Sequence, residues 1–167
     1  MKELNFQPAK TKEDFRENYK LHDLAEYHGK NLLAQWGITF EEFGKDNRYK
    51  KVWEKGEDKP DIIAEYNNLK FLIEWKSKTA NFYLVNKRAV NSYKNWAVNL
   101  KLEAVICFFI FDKNNFLVDR RFALLSKHKF EIITEKAWDK NDVVKFNDDL
   151  PILNKFNLIN YLNNNNQ

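Results

Sequence analysis

Asp61, Glu74 and Lys76 are the residues whose types and spacing suggest chemistry, and all three lie in one stretch, KPDIIAEYNNLKFLIEWKSK, residues 59–78. Two apolar-rich runs, Ile62 to Tyr66 and Leu69 to Trp75, are joined by Asn67-Asn68. Asn is one of the few residues besides glycine that tolerates the positive φ of a tight hairpin turn, so the stretch reads as a β-hairpin. With a two-residue turn, Tyr66 pairs with Leu69 and the ladder continues through Ala64–Phe71 and Ile62–Ile73 to Asp61–Glu74. A longer turn would slide that pairing or turn one residue to the other face. Side chains directly opposite on a sheet face sit about 5 Å apart, and like charges there are destabilising, so the Asp61–Glu74 pair calls for a positive group. Period-2 alternation puts Glu74 and Lys76 on one face and Phe71, Ile73 and Trp75 on the other, with Ile62, Ala64, Phe71 and Ile73 expected on the core side. Paired carboxylates beside a lysine suit a hard divalent cation and an anionic substrate. The plain alternative is a surface hairpin in which Lys76 or Lys78 neutralises Glu74, because short motifs recur by chance.

The rest of the chain must position this hairpin. Thr11 followed by Glu13 and Asp14 reads as an N-cap with acids in the first turn, and apolar residues at three- and four-residue steps predict a helix up to Gly37, with a break expected near Gly29. Glu26 lies on that helix in line with Tyr19, Gly29 and Leu33, either as an exposed acid or as a member of the site. Ile38 to Phe43 reads as a strand. Gly44 to Lys59 carries Lys45, Arg48, Lys50, Lys51, Lys55 and Lys59 with Tyr49 and Trp53 interleaved, a composition suited to a nucleic-acid backbone and an unstacked base, or to a solvated loop.

Beyond the hairpin, Ser77 to Leu84 reads as a connection and Asn86 as the N-cap of a helix over Lys87 to Leu100. Ala89, Tyr93, Trp96, Ala97 and Leu100 form its core stripe. Ala104 to Phe111 has no polar alternation, the mark of a strand covered on both faces, so helices are expected on both sides of the sheet. Phe116 to Leu125 and Phe130 to Thr134 are expected strands, with Asp112–Asn115 a turn before the first of them. Asn147 or Asp148 is the expected cap of a short helix around Ile152 to Tyr161. Met1 to Lys10 reads as a loose arm and Asn163 to Gln167 as a polar tail.

At 167 residues the chain is long enough for one domain with a real core. Its single cysteine, Cys107, lies in an apolar run and cannot form an intrachain disulfide, and the widely spaced His22, His28 and His128 exclude a structural zinc pattern. The longest apolar run, Ala104 to Phe111, is too short to span a membrane, so a soluble, cytoplasmic protein is expected. A net charge of +4 leans modestly toward polyanions.

The order of these pieces resembles the PD-(D/E)xK nuclease superfamily. Glu26 followed by LLAQWG, then KPDIIA, then FLIEWKSK is most similar to archaeal-type Holliday junction resolvases and related restriction-like endonucleases. The resemblance implies an α/β, restriction-endonuclease-like core over residues 1–162, with a central mixed sheet flanked by helices in the order helix-strand-strand-strand-helix-strand. It further implies that Asp61, Glu74 and the backbone carbonyl of Trp75 ligate Mg²⁺, with Mn²⁺ able to substitute, and that Lys76 orients the attacking water. Glu26 would complete the metal site from the first helix. Arg48, Lys50, Lys51, Lys55, Lys59, Lys78, Lys87 and Arg88 are the cationic residues placed to meet DNA. The implied activity is phosphodiester hydrolysis in DNA, directed to branched structures by a homodimer. The alternatives are a homing or restriction-type enzyme with sequence readout, and a non-catalytic nucleic-acid-binding module on the same fold.

Overall fold

The hairpin of residues 59–78 forms the centre of a sheet in the computed structural model, which describes residues 3–4, 12–45, 58–138 and 141–164; of residues 3–4, 12–19, 135–138 and 141 the backbone alone is described. Asn67 and Asn68 adopt φ of 48° and 66°, the two left-handed residues that a tight turn between right-twisted strands requires. They join β3 (Ile62–Tyr66) to β4 (Leu69–Lys78) in the expected register, Tyr66 with Leu69 through Ile62 with Ile73. The helix α1 (Lys12–Gln35) precedes the hairpin and runs unbroken through Gly29. Edge strand β2 (Thr39–Glu42) follows it and pairs antiparallel with β3.

After the hairpin come β5 (Leu84–Asn86), α2 (Lys87–Leu100), β6 (Glu103–Phe111) and β7 (Leu117–Leu124). Asn86 caps α2 as expected, its side chain accepting the Arg88 N–H. Strand β6 pairs in parallel with β4, and β7 pairs antiparallel with β6, so the five-stranded mixed sheet has the order β2-β3-β4-β6-β7.

Both faces of this sheet are covered. On one face Ile62, Phe71, Ile73 and Trp75 pack with Ala25 and Leu33 of α1 and with Leu158 and Leu162 of α3 (Lys155–Asn164). On the other, Leu72, Ile106 and Phe108 pack with Val90 and Tyr93 of α2 and with Val144 and Phe146. The face carrying Glu74 is therefore a second core face, not an open surface: β4 lies between β3 and β6, and α2 closes over it. The three-layer arrangement agrees with the expected mixed α/β core flanked by helices.

A second, four-stranded sheet of order β1-β8-β9-β5 corrects several expectations. The N-terminal segment is not wholly a loose arm, because β1 (Glu3–Leu4) pairs in parallel with β8 (Phe130–Trp138). Strand β8 runs past Thr134 because β9 (Asn141–Phe146), for which no strand was expected, pairs with it. Strand β4 likewise continues through Ser77 and Lys78, which find partners in Phe109 and Ile110 of β6. The last helix begins at Lys155 instead of Ile152, since Ile152 bridges to Arg121; its cap is Asn154, whose Oδ1 accepts the Asn157 N–H at 2.7 Å. It reaches Asn164, taking in two residues of the expected tail. Among the described residues no helix is long and apolar enough to cross a membrane.

Candidate active site

Asp61 stands one residue before β3, where the chain enters the sheet. Its backbone carbonyl accepts the N–H groups of Phe43 and Gly44 at 2.9 and 3.1 Å, so the end of β2 anchors it. Its side chain reaches across to the next strand, and Oδ2 accepts the Trp75 N–H at 2.8 Å. The register set by the Asn67-Asn68 turn thus brings the Asp61 carboxylate to the backbone between Glu74 and Lys76. Burial, and after it the Glu74 charge, pushes the Asp61 carboxyl well above the ordinary carboxylate range, although the Trp75 N–H and Lys76 oppose the shift.

Glu74 is 6% exposed, the one acidic residue in the described core. A carboxylate this buried needs partners, and it has two on one oxygen. Lys76 Nζ lies 2.8 Å from Glu74 Oε1, and the Tyr93 hydroxyl donates to the same atom at 2.9 Å. Burial pulls the Lys76 ammonium down, but Glu74, helped by the Asp61 and Asp58 charges, more than offsets it, so the lysine titrates above its usual range. Burial and the facing Glu74 push the Tyr93 phenol well above its ordinary value, which keeps it a hydrogen-bond donor.

Glu26 faces this cluster from α1, near enough for its charge to raise Asp61. Its carboxylate is held by Lys30 at 2.6 Å, and the same ammonium also bonds Glu42 of β2. Among the described residues, the three-ligand grouping whose donor atoms all lie within 4.8 Å of one another is His22, Asp23 and Glu26. Glu26 therefore groups with its helix neighbours more closely than with Asp61 and Glu74. Gly29, one turn on, is where α1 meets the Trp75 ring.

The cationic candidates fall in different places. Arg48, Lys50, Lys51 and Lys55 lie outside the described residues. Lys59 sits over the rings of Phe43 and Trp96, 5.3 and 5.6 Å from their centroids. Lys78 follows Lys76 on the same side of β4 and donates to the Leu84 carbonyl. Burial, then the Lys76 charge, brings it down to about 7. Lys87 opens α2 partly exposed. Arg88 bonds Asp58 Oδ2 at 3.3 Å.

Two residues of this cluster carried no functional signal in the sequence. Tyr93 is on the core stripe of α2 and reads as packing, while Asp58 precedes the hairpin without any motif. Asp58 is close enough to raise both Lys76 and Tyr93, and its Oδ1 is buried with no hydrogen-bond partner among the described residues.

The mixed sheet and the helices on its two faces make a mixed α/β fold of the restriction-endonuclease-like kind. Within that class, the structure is similar to Hjc, a Holliday junction resolvase from the hyperthermophilic archaeon Archaeoglobus fulgidus. The match has a TM-score of 0.50 and 14% sequence identity, and covers 74% of this chain and 83% of that one. No family model matches the sequence, and no curated protein matches it.

Proposed function

We propose that this protein is a nuclease, specifically a Mg²⁺-dependent DNA endonuclease that hydrolyses phosphodiester bonds and is directed to branched DNA. The observation that carries the reading is the convergence of Asp61, Glu74 and Lys76 on one strand-end cluster, with Asp61 bonded to the backbone N–H between the other two. Two acids held this close and this dry are a costly arrangement for a surface hairpin and an apt one for a divalent cation. The donor set is all oxygen, which suits Mg²⁺ with Mn²⁺ able to substitute.

Asp61, Glu74 and the Trp75 carbonyl would hold the ion, and Glu26 would join from α1 through water. Such an ion makes a nucleophile from water near neutral pH and offsets the charge that develops on the phosphate. Asp61 keeps its orientation through the Trp75 N–H. Lys76, charged at any pH near neutrality, would offer donors to the attacking water and to a phosphate oxygen. Arg48, Lys50, Lys51, Lys55, Lys59, Lys78, Lys87 and Arg88 are the proposed DNA contacts, which would make binding salt-dependent. A four-way branch has two-fold symmetry and calls for paired cuts, so the acting form is proposed to be a homodimer.

The likeness to an archaeal junction resolvase favours branched substrates over a homing or restriction-type reading. The test is a Mg²⁺ cleavage assay on a four-way junction, linear duplex and single-stranded DNA, with the wild type and Asp61→Asn. Cutting of the junction by the wild type alone is expected. Sequence-dependent cutting of linear duplex would remove the branched-DNA assignment, and equal cutting by Asp61→Asn would remove the site.

A further inference from the structure

The hydroxyl of Tyr93 has no part in the chemistry so far, yet it is placed at its centre. Tyr93 is 4% exposed, comes from a different element, and spans 19 positions of sequence to reach Glu74. A buried phenol finds a partner when one is available, and this one takes Glu74 Oε1 with an O–H···O distance of 2.9 Å. Lys76 shares that oxygen. Among the described residues nothing donates to Oε2.

We propose that Tyr93 is a positioning residue for Glu74: with Lys76 it saturates Oε1 and leaves Oε2 as the single oxygen that Glu74 offers to a divalent cation. A glutamate has three side-chain torsions, and a carboxylate tethered through one oxygen gives up most of that freedom before the ion arrives. The tether matters most during the reaction. Lys76 has three N–H donors to divide between Glu74 and the substrate, and as it turns toward a phosphate it loosens its hold on the carboxylate. Tyr93 donates a single hydrogen bond, is enclosed by α2 and β4, and has no contact with substrate to make. It therefore holds Glu74 whatever Lys76 is doing. The inference rests on the proposed metal-dependent chemistry.

The experiment is calorimetric titration of Mn²⁺ and Mg²⁺ into the full chain without DNA, for wild type, Tyr93→Phe and Val90→Ala. It is paired with melting curves and with cleavage measured against Mg²⁺ concentration. Tyr93→Phe keeps the ring in the core and removes only the O–H. It is expected to weaken metal binding by about tenfold, the range seen when a hydrogen bond behind a metal ligand is lost, and to raise the Mg²⁺ needed for half-maximal cleavage equally. The rate at saturating Mg²⁺ should stay close to wild type. Val90→Ala opens a buried site on the same helix but removes no hydrogen bond to Glu74, and should lower Tm without moving the metal affinity. If Tyr93→Phe binds metal as tightly as a metal-binding wild type, or if Val90→Ala weakens binding as much, the positioning role is overturned. A wild type that binds neither ion would instead overturn the metal-site reading itself.

Discussion

Gly29→Ala is a substitution for which helix propensity and tertiary packing predict opposite signs. Gly29 lies inside α1, where glycine is less favourable than alanine by about 1 kcal/mol, so propensity alone expects stabilisation. A Cβ at this position would lie 2.4, 2.6 and 2.7 Å from Cζ3, Cε3 and Cη2 of Trp75. The ring has nowhere to go: it is 2% exposed and packs against Phe109 at 6.0 Å between centroids, while its backbone N–H is held by Asp61. Overpacking a tight core costs about 1–3 kcal/mol, and contacts this short belong at the upper end. Setting the propensity gain of about 1 kcal/mol against that leaves a net loss of about 1–2 kcal/mol. At about 2–4 °C per kcal/mol for a chain of this size, Tm should fall by roughly 2–8 °C.

Function should fall with it, because Trp75 sits between Glu74 and Lys76 and any relief of the clash moves that strand. Circular-dichroism melting and DNA cleavage on Gly29→Ala, Trp75→Leu and the double variant form a thermodynamic cycle. The smaller leucine makes room for the new methyl, so the two changes should be coupled, with the double variant more stable than the sum of the singles predicts. A Gly29→Ala protein that melts higher than wild type, or a cycle without coupling, would refute the packing argument.

Two further outcomes follow from charge. The folded-state pKa of Asp61 lies above its unfolded value, so its contribution favours the fold at acid pH and is lost as pH rises through the folded pKa. Asn keeps an acceptor for the Trp75 N–H without the charge; Asp61→Asn should therefore raise the melting temperature of the metal-free protein at neutral pH, while Mg²⁺ stabilises only the wild type. A lower metal-free Tm for Asp61→Asn would count against this. Lys78 behaves in the opposite sense: its folded pKa of about 7 is below the usual 10.5, so between these values the unfolded chain binds the extra proton and stability rises with pH. Lys78→Met should flatten that rise in urea titrations at pH 7 to 10, and an unchanged slope would show that the ammonium is solvated.

The hairpin and its register were legible in the sequence because they depend on near neighbours. Asn67-Asn68 supplies the two positive φ angles, and once the turn has two residues the ladder places Asp61 against the Glu74–Trp75 backbone. The bounds of α2 were equally local, marked by Asn86 and by apolar spacing, and the unbroken apolar run of β6 announced a strand covered on both faces. Tertiary structure decided the rest. No local pattern tells that the Glu74 side of β4 is core, since the burial comes from α2 and β9 closing over it. The Asp58–Arg88 pair spans 30 positions, and β1 finds its partner beyond residue 135. Tyr93 illustrates the limit best: on its own helix it is one more apolar-stripe aromatic, and only the packing of α2 against β4 turns its hydroxyl toward Glu74. Backbone turns and alternation are properties of adjacent residues, whereas the partners of a buried charge are chosen by which elements the whole chain brings together.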